Sequence, residues 1–488
     1  MKKQAITHLQ EGPVGRTLFF FAVPVLLSQL LQEFYNIADC AIVGRFAGSQ
    51  ALAATGLAGL VLSVLINFFI GFSSGISVRI SWLFGAGYYE RLRRASMRIL
   101  RFSALAGVVL TVAAEALAPW IFRVMNTPGE TYDPALVYLR ICLLGLSAQL
   151  LYNVATAILR SMGDSKAPML LYLISSLINL FLDCVLVIGF GQGVAGAAAA
   201  TMTAQWLLAA AICVYLVRLT HQPIQHRMQT DSDQTGGVRS EPDCGLRAST
   251  PEMRGQAVDP DGHPSSRTEG MAPPASSAAE ALVLLRDGLP AGMQALFMSA
   301  SSLMIQVFIN SFGSAAVAGM TLFARAEGFL YFPAFAYGIA LTGFVGQNLG
   351  AGEGGRIRKA IRLSIVVLAC YVLPMSALLA ATAPHFLRLF TEDAPVIAHA
   401  TQAVRYILPF YLLYAVNQVL LGAIKGMGNT TWPMVCTMVC YCVFRVLWCR
   451  LLMPVHASMT VIYLSYDVSF LLMLLMLLPM WRKLRPDG

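Results

Sequence analysis

The chain has 488 residues, 57% of them hydrophobic and 12% charged, with a mean hydropathy of +0.66. A soluble protein carries about a quarter of its residues charged; this one has too few charges to cover a water-facing surface, which excludes a soluble globular fold. The formal charge of +9 rests on Lys and Arg that flank apolar runs, the pattern of membrane topology, and no nucleic-acid partner is expected.

The apolar runs reach about 20 residues or more, enough to cross about 30 Å of hydrocarbon as helices. Met1-Lys2-Lys3 and the apolar stretch from Leu18 superficially match a signal peptide. The stretch outruns a signal core and lacks a small-residue cleavage site, so it reads as a retained first span. Twelve spans are predicted, near 17–41, 52–76, 95–118, 135–158, 168–190, 194–217, 288–311, 316–345, 358–381, 402–424, 432–453 and 459–481.

An even number of spans puts both termini on one side. Lys2, Lys3 and Arg16 lie at one end of the chain, and Arg482, Lys483 and Arg485 at the other. Arg91, Arg93 and Arg94, then Arg356, Arg358, Lys359 and Arg362, fill two further loops on that side. The opposite loops, Gly191-Gln192-Gly193 and Ser311-Phe312-Gly313, are short and uncharged. The positive-inside rule therefore predicts cytoplasmic termini in a plasma or bacterial inner membrane.

Between spans six and seven, residues 220–281 are rich in Ser, Thr, Pro, Gly, Asp and Gln and lack apolar periodicity. Such a segment buries too little apolar surface to offset its ordering entropy, and it reads as a cytoplasmic spacer without fixed structure. The predicted organisation is a first lobe over 1–219, the spacer over 220–281 and a second lobe over 282–488.

An internal repeat fixes the architecture. Gly85-Ala86-Gly87, followed by Arg91, Arg93 and Ala95, returns as Gly350-Ala351-Gly352, followed by Arg356, Arg358 and Ala360, an offset of 265 (350 − 85). Met162-Gly163, Pro168 and Met169 return as Met427-Gly428, Pro433 and Met434, and Gly48-Ser49 returns as Gly313-Ser314, at the same offset. Each unit has an even number of spans, so both share one orientation. The predicted fold class is all-α integral membrane: twelve transmembrane helices as two six-helix bundles related by a pseudo-two-fold axis along the membrane normal.

Two patterns are set aside. Gly71-Phe72-Ser73-Ser74-Gly75 fits the G-x-S-x-G of serine hydrolases, but that motif needs a strand–turn–helix elbow and a His partner. Inside a membrane span, its small residues instead suit close helix packing. Cys436 and Cys440 sit i,i+4 on one helix, but no His or carboxylate nearby completes a metal set, and they read as small packing residues. No phosphate-binding loop is present, and the chain is not read as an enzyme.

Carboxylates inside hydrocarbon are functional candidates by default. Asp183 lies on span five with Asn179 four residues earlier on the same face, Asp39 on span one and Thr201 on span six. At about 1.5 Å per residue, each carboxylate and Thr201 lies roughly 12–14 Å from the outer ends of their helices. Two carboxylates, an amide and a hydroxyl at one level suit Na⁺, and serve equally as a proton-loading pair. Pro24 removes one backbone hydrogen bond from span one and is a candidate bending point.

The stretch Pro24 … Tyr35-Asn36-Ile37-Ala38-Asp39 … Val43-Gly44-Arg45 and Gly85-Ala86-Gly87 resembles the first two spans of multidrug and toxic compound extrusion (MATE) transporters. Arg160-Ser161-Met162-Gly163-Asp164, Asn179 with Asp183, Gly193 … Gly196-Ala197-Ala198 … Ala200-Thr201, and Gln347-Asn348-Leu349-Gly350-Ala351-Gly352 are similar to later parts of the family. The resemblance covers nearly the whole chain apart from the spacer and is nearest the DinF-like branch. It implies that Asp39, Asn179, Asp183 and Thr201 carry cation coupling. In the NorM-like branch, acids on spans seven and ten form a cation site. Here Gln294, Asn417 and Gln418 stand in that region, so coupling is expected in the first lobe.

Glu33, Asn36, Gln294, Asn417 and Gln418 are the candidate cavity residues. Glu115, Arg140, Arg325, Glu327, Arg405, Arg445 and Asp467 are read as structural pairs near cavity walls. The expected activity is secondary active export of small amphiphilic or cationic compounds in exchange for H⁺ or Na⁺. No cofactor beyond the coupling ion is expected, and the expected partners are substrate and bilayer around a monomer. Two rival readings are a lipid-linked precursor flippase, favoured by Arg325, Arg405 and Arg445, and a membrane-embedded hydrolase resting on Ser73.

Overall fold

A computed structural model describes residues 9–124, 129–221 and 277–484. Lys2, Lys3, Arg485 and most of the predicted spacer (222–276) lie outside the described residues. The first lobe comprises α1 (Val14–Ile42), α2 (Ser49–Gly85), α3 (Tyr89–Val124), α4 (Gly129–Leu143), α5 (Leu146–Ser161), α6 (Lys166–Asp183) and α7 (Gly193–His221). The second comprises α8 (Ser277–Asn310), α9 (Ser314–Gly350), α10 (Gly354–Arg388), α11 (Ala394–Ile407), α12 (Tyr411–Gly426), α13 (Thr431–Thr437), α14 (Arg445–Leu452) and α15 (Met459–Leu484).

Among the described residues, eleven helices are long and apolar enough to span a membrane, and twelve when α4 and α5, bent by 46° at their junction, count as one span. The spacer is shorter than predicted, because α7 reaches His221 and α8 already begins at Ser277. The run Ala278-Ala279-Glu280-Ala281 consists of strong helix formers, and their propensity outweighs the polar composition of that edge.

The backbone repeats as the sequence does. Gly48 and Gly313 have φ of 92° and 90°, Gly87 and Gly352 both 77°, and Gly163 and Gly428 89° and 90°. These left-handed turns admit glycine at little cost, so three glycine pairs set the same corners in both lobes. Large apolar side chains such as Leu105, Val109 and Val112 on α3 and Val366, Leu373 and Leu378 on α10 remain exposed, as a lipid-facing perimeter requires.

Each lobe has its own apolar core. Leu18, Phe21 and Ala22 of α1 nevertheless belong to the core of the second lobe, so the first helix straddles both. The lobes meet where α2 and α9 cross. A Cβ on Gly85 would strike the Gln347 carbonyl oxygen, and one on Gly350 would strike that of Trp82. These are mutually equivalent contacts at the 265 offset, as a two-fold axis demands. Along α2, Gly71 and Gly75 lie equally close to the Ala291 and Asp287 carbonyls of α8. The glycines of the hydrolase-like pattern are therefore used for helix approach, and Ser73 is buried inside α2.

At the same end Arg79 pairs with Asp287 at 3.9 Å. The segment preceding α1 is held across the junction. Gln10 donates to the Gly85 carbonyl at 3.1 Å, Asn348 to that of Leu9 at 3.2 Å, and Arg356 to those of Glu11 and Gly12 at 3.1 and 3.0 Å. Further along α2, Asn67 reaches Ser299 of α8 at 3.1 Å, while Gly56 and Gly59 face open space. The lobes are in main-chain contact at the Gly85/Gly350 end, and α2 makes no such contact at Gly56 and Gly59.

Candidate functional site

Both candidate carboxylates lie where a helix changes pitch. Asp39 is one turn before the π-turn Val43–Ala47, and Asp183 immediately precedes the π-turn Cys184–Gly189. Such turns leave the regular hydrogen-bond ladder and recur at functional sites. Asp183 is fully buried and Asn179 nearly so. The Asp39 and Asp183 carboxyls are near enough to interact directly. Two carboxylates have no proton to donate to each other, and Asp39 Oδ1, both Asp183 oxygens and Asn179 Oδ1 are left without a hydrogen-bond partner.

The neighbours keep those oxygens free. Asn179 turns its amide nitrogen to Thr201 Oγ1 at 3.5 Å, and its oxygen is left without a donor. Thr201 Oγ1 also shares a hydrogen bond with the Tyr35 hydroxyl at 3.2 Å. Thr201 thus orients Asn179. Four buried acceptor oxygens with no donor form a cluster that a proton or a small cation would satisfy and that is costly without one.

A cavity of about 340 Å³ lies between α2, α8, α9, α12 and the helices that follow. Tyr414, Gln418, Gly422 and Lys425 contribute one face of α12, and Glu327, Tyr331, Phe335 and Gly338 one face of α9. Tyr331 stacks on Tyr414 at 5.7 Å and on Phe335 at 5.6 Å between ring centroids. The Arg445 guanidinium sits 4.2 Å from the Tyr466 ring centroid and 4.5 Å from that of Tyr441, and its Nε donates to Ser469 Oγ at 2.8 Å. Glu327 accepts from the Tyr411 hydroxyl at 3.0 Å. Asp467 is buried with neither oxygen partnered and lies within electrostatic range of Arg445.

The other sequence candidates divide. Gln294 and Gln418 line the cavity, and Gln294 also donates to Thr437 at 3.1 Å. Asn417 does not line it: the residue is fully buried and donates to the Phe470 carbonyl at 2.8 Å, one helical step away from the face carrying Gln418. Asn36 is exposed on α1 and outside the cavity wall. Glu33 is also outside it, but its charge reaches Tyr172 of the first lobe and Tyr331 of the second. Pro24 lies in an uninterrupted α1, where Ser28 donates to its carbonyl at 2.7 Å.

Glu115 pairs with Arg140 at 3.8 Å. Of the three arginines that suggested a flippase, Arg445 alone lines the central cavity, while Arg405 lines a separate groove with Arg388 and Glu392. Cys436 and Cys440 are buried in the second-lobe core. Tyr35 is a site residue outside the sequence candidates, although its place one turn before Asp39 was a signal for it. Lys425 was not legible in this way, since it lies at a helix end beside a loop and reads as one more topology signal.

The MatE family model matches residues 24–185 and 290–451, one match in each lobe. A probable multidrug resistance protein of Bacillus subtilis, YoeA, is 29% identical over 435 residues, spanning 88% of this chain and 85% of its own. A probable multidrug resistance protein of Thermotoga maritima, NorM, is 25% identical over 430 residues, spanning 87% and 83%. A MOP superfamily transporter from Pyrococcus furiosus superposes with a TM-score of 0.80 at 22% identity, covering all of both chains.

Proposed function

The chain belongs to the MatE family of membrane transporters, and we propose that it exports small amphiphilic compounds, multidrug substrates among them, by antiport with H⁺ or Na⁺. The observation that carries the coupling is the set of four buried oxygens on Asp39, Asp183 and Asn179 that lack any donor. Two adjacent negative charges in a low-dielectric interior repel each other and favour uptake of one proton or one cation. Loading removes that repulsion and lets α1 and α6 draw together.

Because α1 packs on both lobes, a change at Asp39 is mechanically linked to the lobe interface. The loop arginines support a cytoplasmic location for the Gly85/Gly350 end, which makes the present arrangement outward-open. Export then alternates this state with one in which the α2–α9 seal parts. The segment between α7 and α8, residues 222–276, acts as a cytoplasmic spacer between the lobes.

The test is efflux of a fluorescent amphiphile from proteoliposomes under an imposed pH gradient and, separately, an imposed Na⁺ gradient. One of the two should drive efflux against the dye gradient. Equal rates with and without both gradients would sink the antiport reading.

A further inference from the structure

We propose that the sealed end of the central cavity, with Lys425 at its floor, is a subsite for the anionic group of an amphiphilic substrate whose aromatic or apolar body stacks against Tyr331 and Tyr414. The proposal rests on the transporter reading above and adds the charge and orientation of the cargo. Tyr414, Gln418, Gly422 and Lys425 follow one another along a single face of α12. Tyr414 and Lys425 are eleven residues apart in sequence, so the ring and the ammonium are separated by about 16 Å along the helix.

The charges of the wall are unevenly spread. Glu327 and Arg445 belong to the aromatic end, where Tyr411 holds Glu327, Ser469 holds Arg445 and Asp467 lies within electrostatic range of Arg445. The floor is different. Among the described residues no hydrogen bond or ion pair engages the Lys425 ammonium, and no carboxylate lines the cavity around it. Asp287, the nearest acid on α8 toward the seal, is paired with Arg79. The lining toward Lys425 includes Gly71, Ser74, Ala291, Gly338, Thr342 and Gly422; Gly71 packs on the Ala291 carbonyl and Gly422 on that of Gly338, so this part of the wall presents small side chains and no competing charge. Thr342 has already committed its hydroxyl proton to the Gly338 carbonyl at 3.0 Å.

An ammonium in an enclosed site gains most from an anion placed against it. The stacked rings of Tyr331, Phe335 and Tyr414 offer a flat apolar wall to the rest of the molecule. A volume of about 340 Å³ accommodates a compound with one fused ring system and a carboxylate. In the repeat, Arg160 occupies the position equivalent to Lys425 at the 265 offset, but it does not line this cavity. The subsite belongs to the second lobe only.

The experiment uses two xanthene dyes of similar shape and opposite charge, the anion fluorescein and the cation tetramethylrhodamine methyl ester. Binding to the purified full-length chain in detergent is followed by fluorescence anisotropy at neutral pH. Wild type should bind fluorescein, Lys425→Gln about tenfold or more weaker, and Lys425→Arg within about threefold of wild type. Binding of the rhodamine ester should be unchanged or tighter in Lys425→Gln. If that variant does not elute as a single species, Lys425→Met carries the same comparison. Fluorescein affinity that is absent in wild type, or equal in wild type and both neutral variants, overturns the proposal. Gradient-driven efflux of the rhodamine ester without fluorescein binding would defeat the subsite and leave the exporter intact. Fluorescein binding that depends on Lys425, with no gradient-driven efflux of either dye, would do the reverse.

Discussion

The two lobes share a backbone but divide the chemistry between them. At the 265 offset, Met304 stands where Asp39 does, Phe444 where Asn179 does, Trp448 where Asp183 does and Tyr466 where Thr201 does. The second lobe has its own ionisable groups, buried or partly buried, at positions with no charged counterpart in the first: Glu327 answers to Leu62, Arg445 to Leu180 and Asp467 to Met202. In the first lobe, acids are close together with nothing to neutralise them. In the second, an arginine sits among rings and acids, and a lysine lines the central cavity. A duplicated scaffold is thus free to specialise, because its corners are set by glycine and its packing by apolar residues, and neither fixes what the interior positions carry.

The sharpest way to break this comparison is to neutralise the first lobe. Asp39→Asn or Asp183→Asn should reduce gradient-driven efflux to the level of protein-free liposomes while the protein still inserts and elutes normally. Efflux retained in both variants would remove coupling from this lobe. Next in size is the arginine of the second lobe. Arg445→Ala leaves Glu327 and Asp467 without their cation, and losing one partner of a buried charged group costs about 3–5 kcal/mol. Thermal melting in detergent should register a large drop. A melting temperature equal to wild type would mean that the Arg445 cluster is not structural.

A smaller effect is expected at the shared axis. Gly85→Val drives a side chain into the Gln347 carbonyl, and overpacking of this kind costs about 1–3 kcal/mol. It acts on the sealed arrangement alone, so spin labels at the ends of α2 and α9 should report a longer mean distance. An unchanged distance would show that the seal has slack. The mildest change is Tyr35→Phe, which removes one hydrogen bond to Thr201 worth about 0.5–1.5 kcal/mol. The ion concentration for half-maximal efflux should rise by a factor of about two to ten, with the maximal rate preserved. A loss of maximal rate instead would assign Tyr35 a direct part in coupling.

The sequence made the fold readable because the repeat lies in its glycines and turns, which survive at a constant spacing in the chain. It also made Asp39, Asn179, Asp183 and Thr201 readable, since carboxylates in apolar spans stand out against their surroundings. The arrangement of the second lobe was not readable in the same way. Arg445 meets Ser469 and the ring of Tyr466 only when α14 folds against α15, and Glu327 meets Tyr411 across 84 residues of chain. Asn417 and Gln418 are neighbours in sequence, and a difference of one helical step decides which of them faces the cavity. Lys425 was hidden by the loop beside it, where a cation is expected on topological grounds alone.

The main-chain contact between α2 and α9 has one more consequence. Where Gly85 and Gly350 bring backbone against backbone, no side chain has to withdraw before the helices part, and no gap remains between side chains while they are together. A file of water molecules cannot thread such a joint, and protons cannot hop along it. The joint is therefore an insulator as well as a contact surface: under the antiport proposed above, it keeps the ion gradient from short-circuiting through the protein.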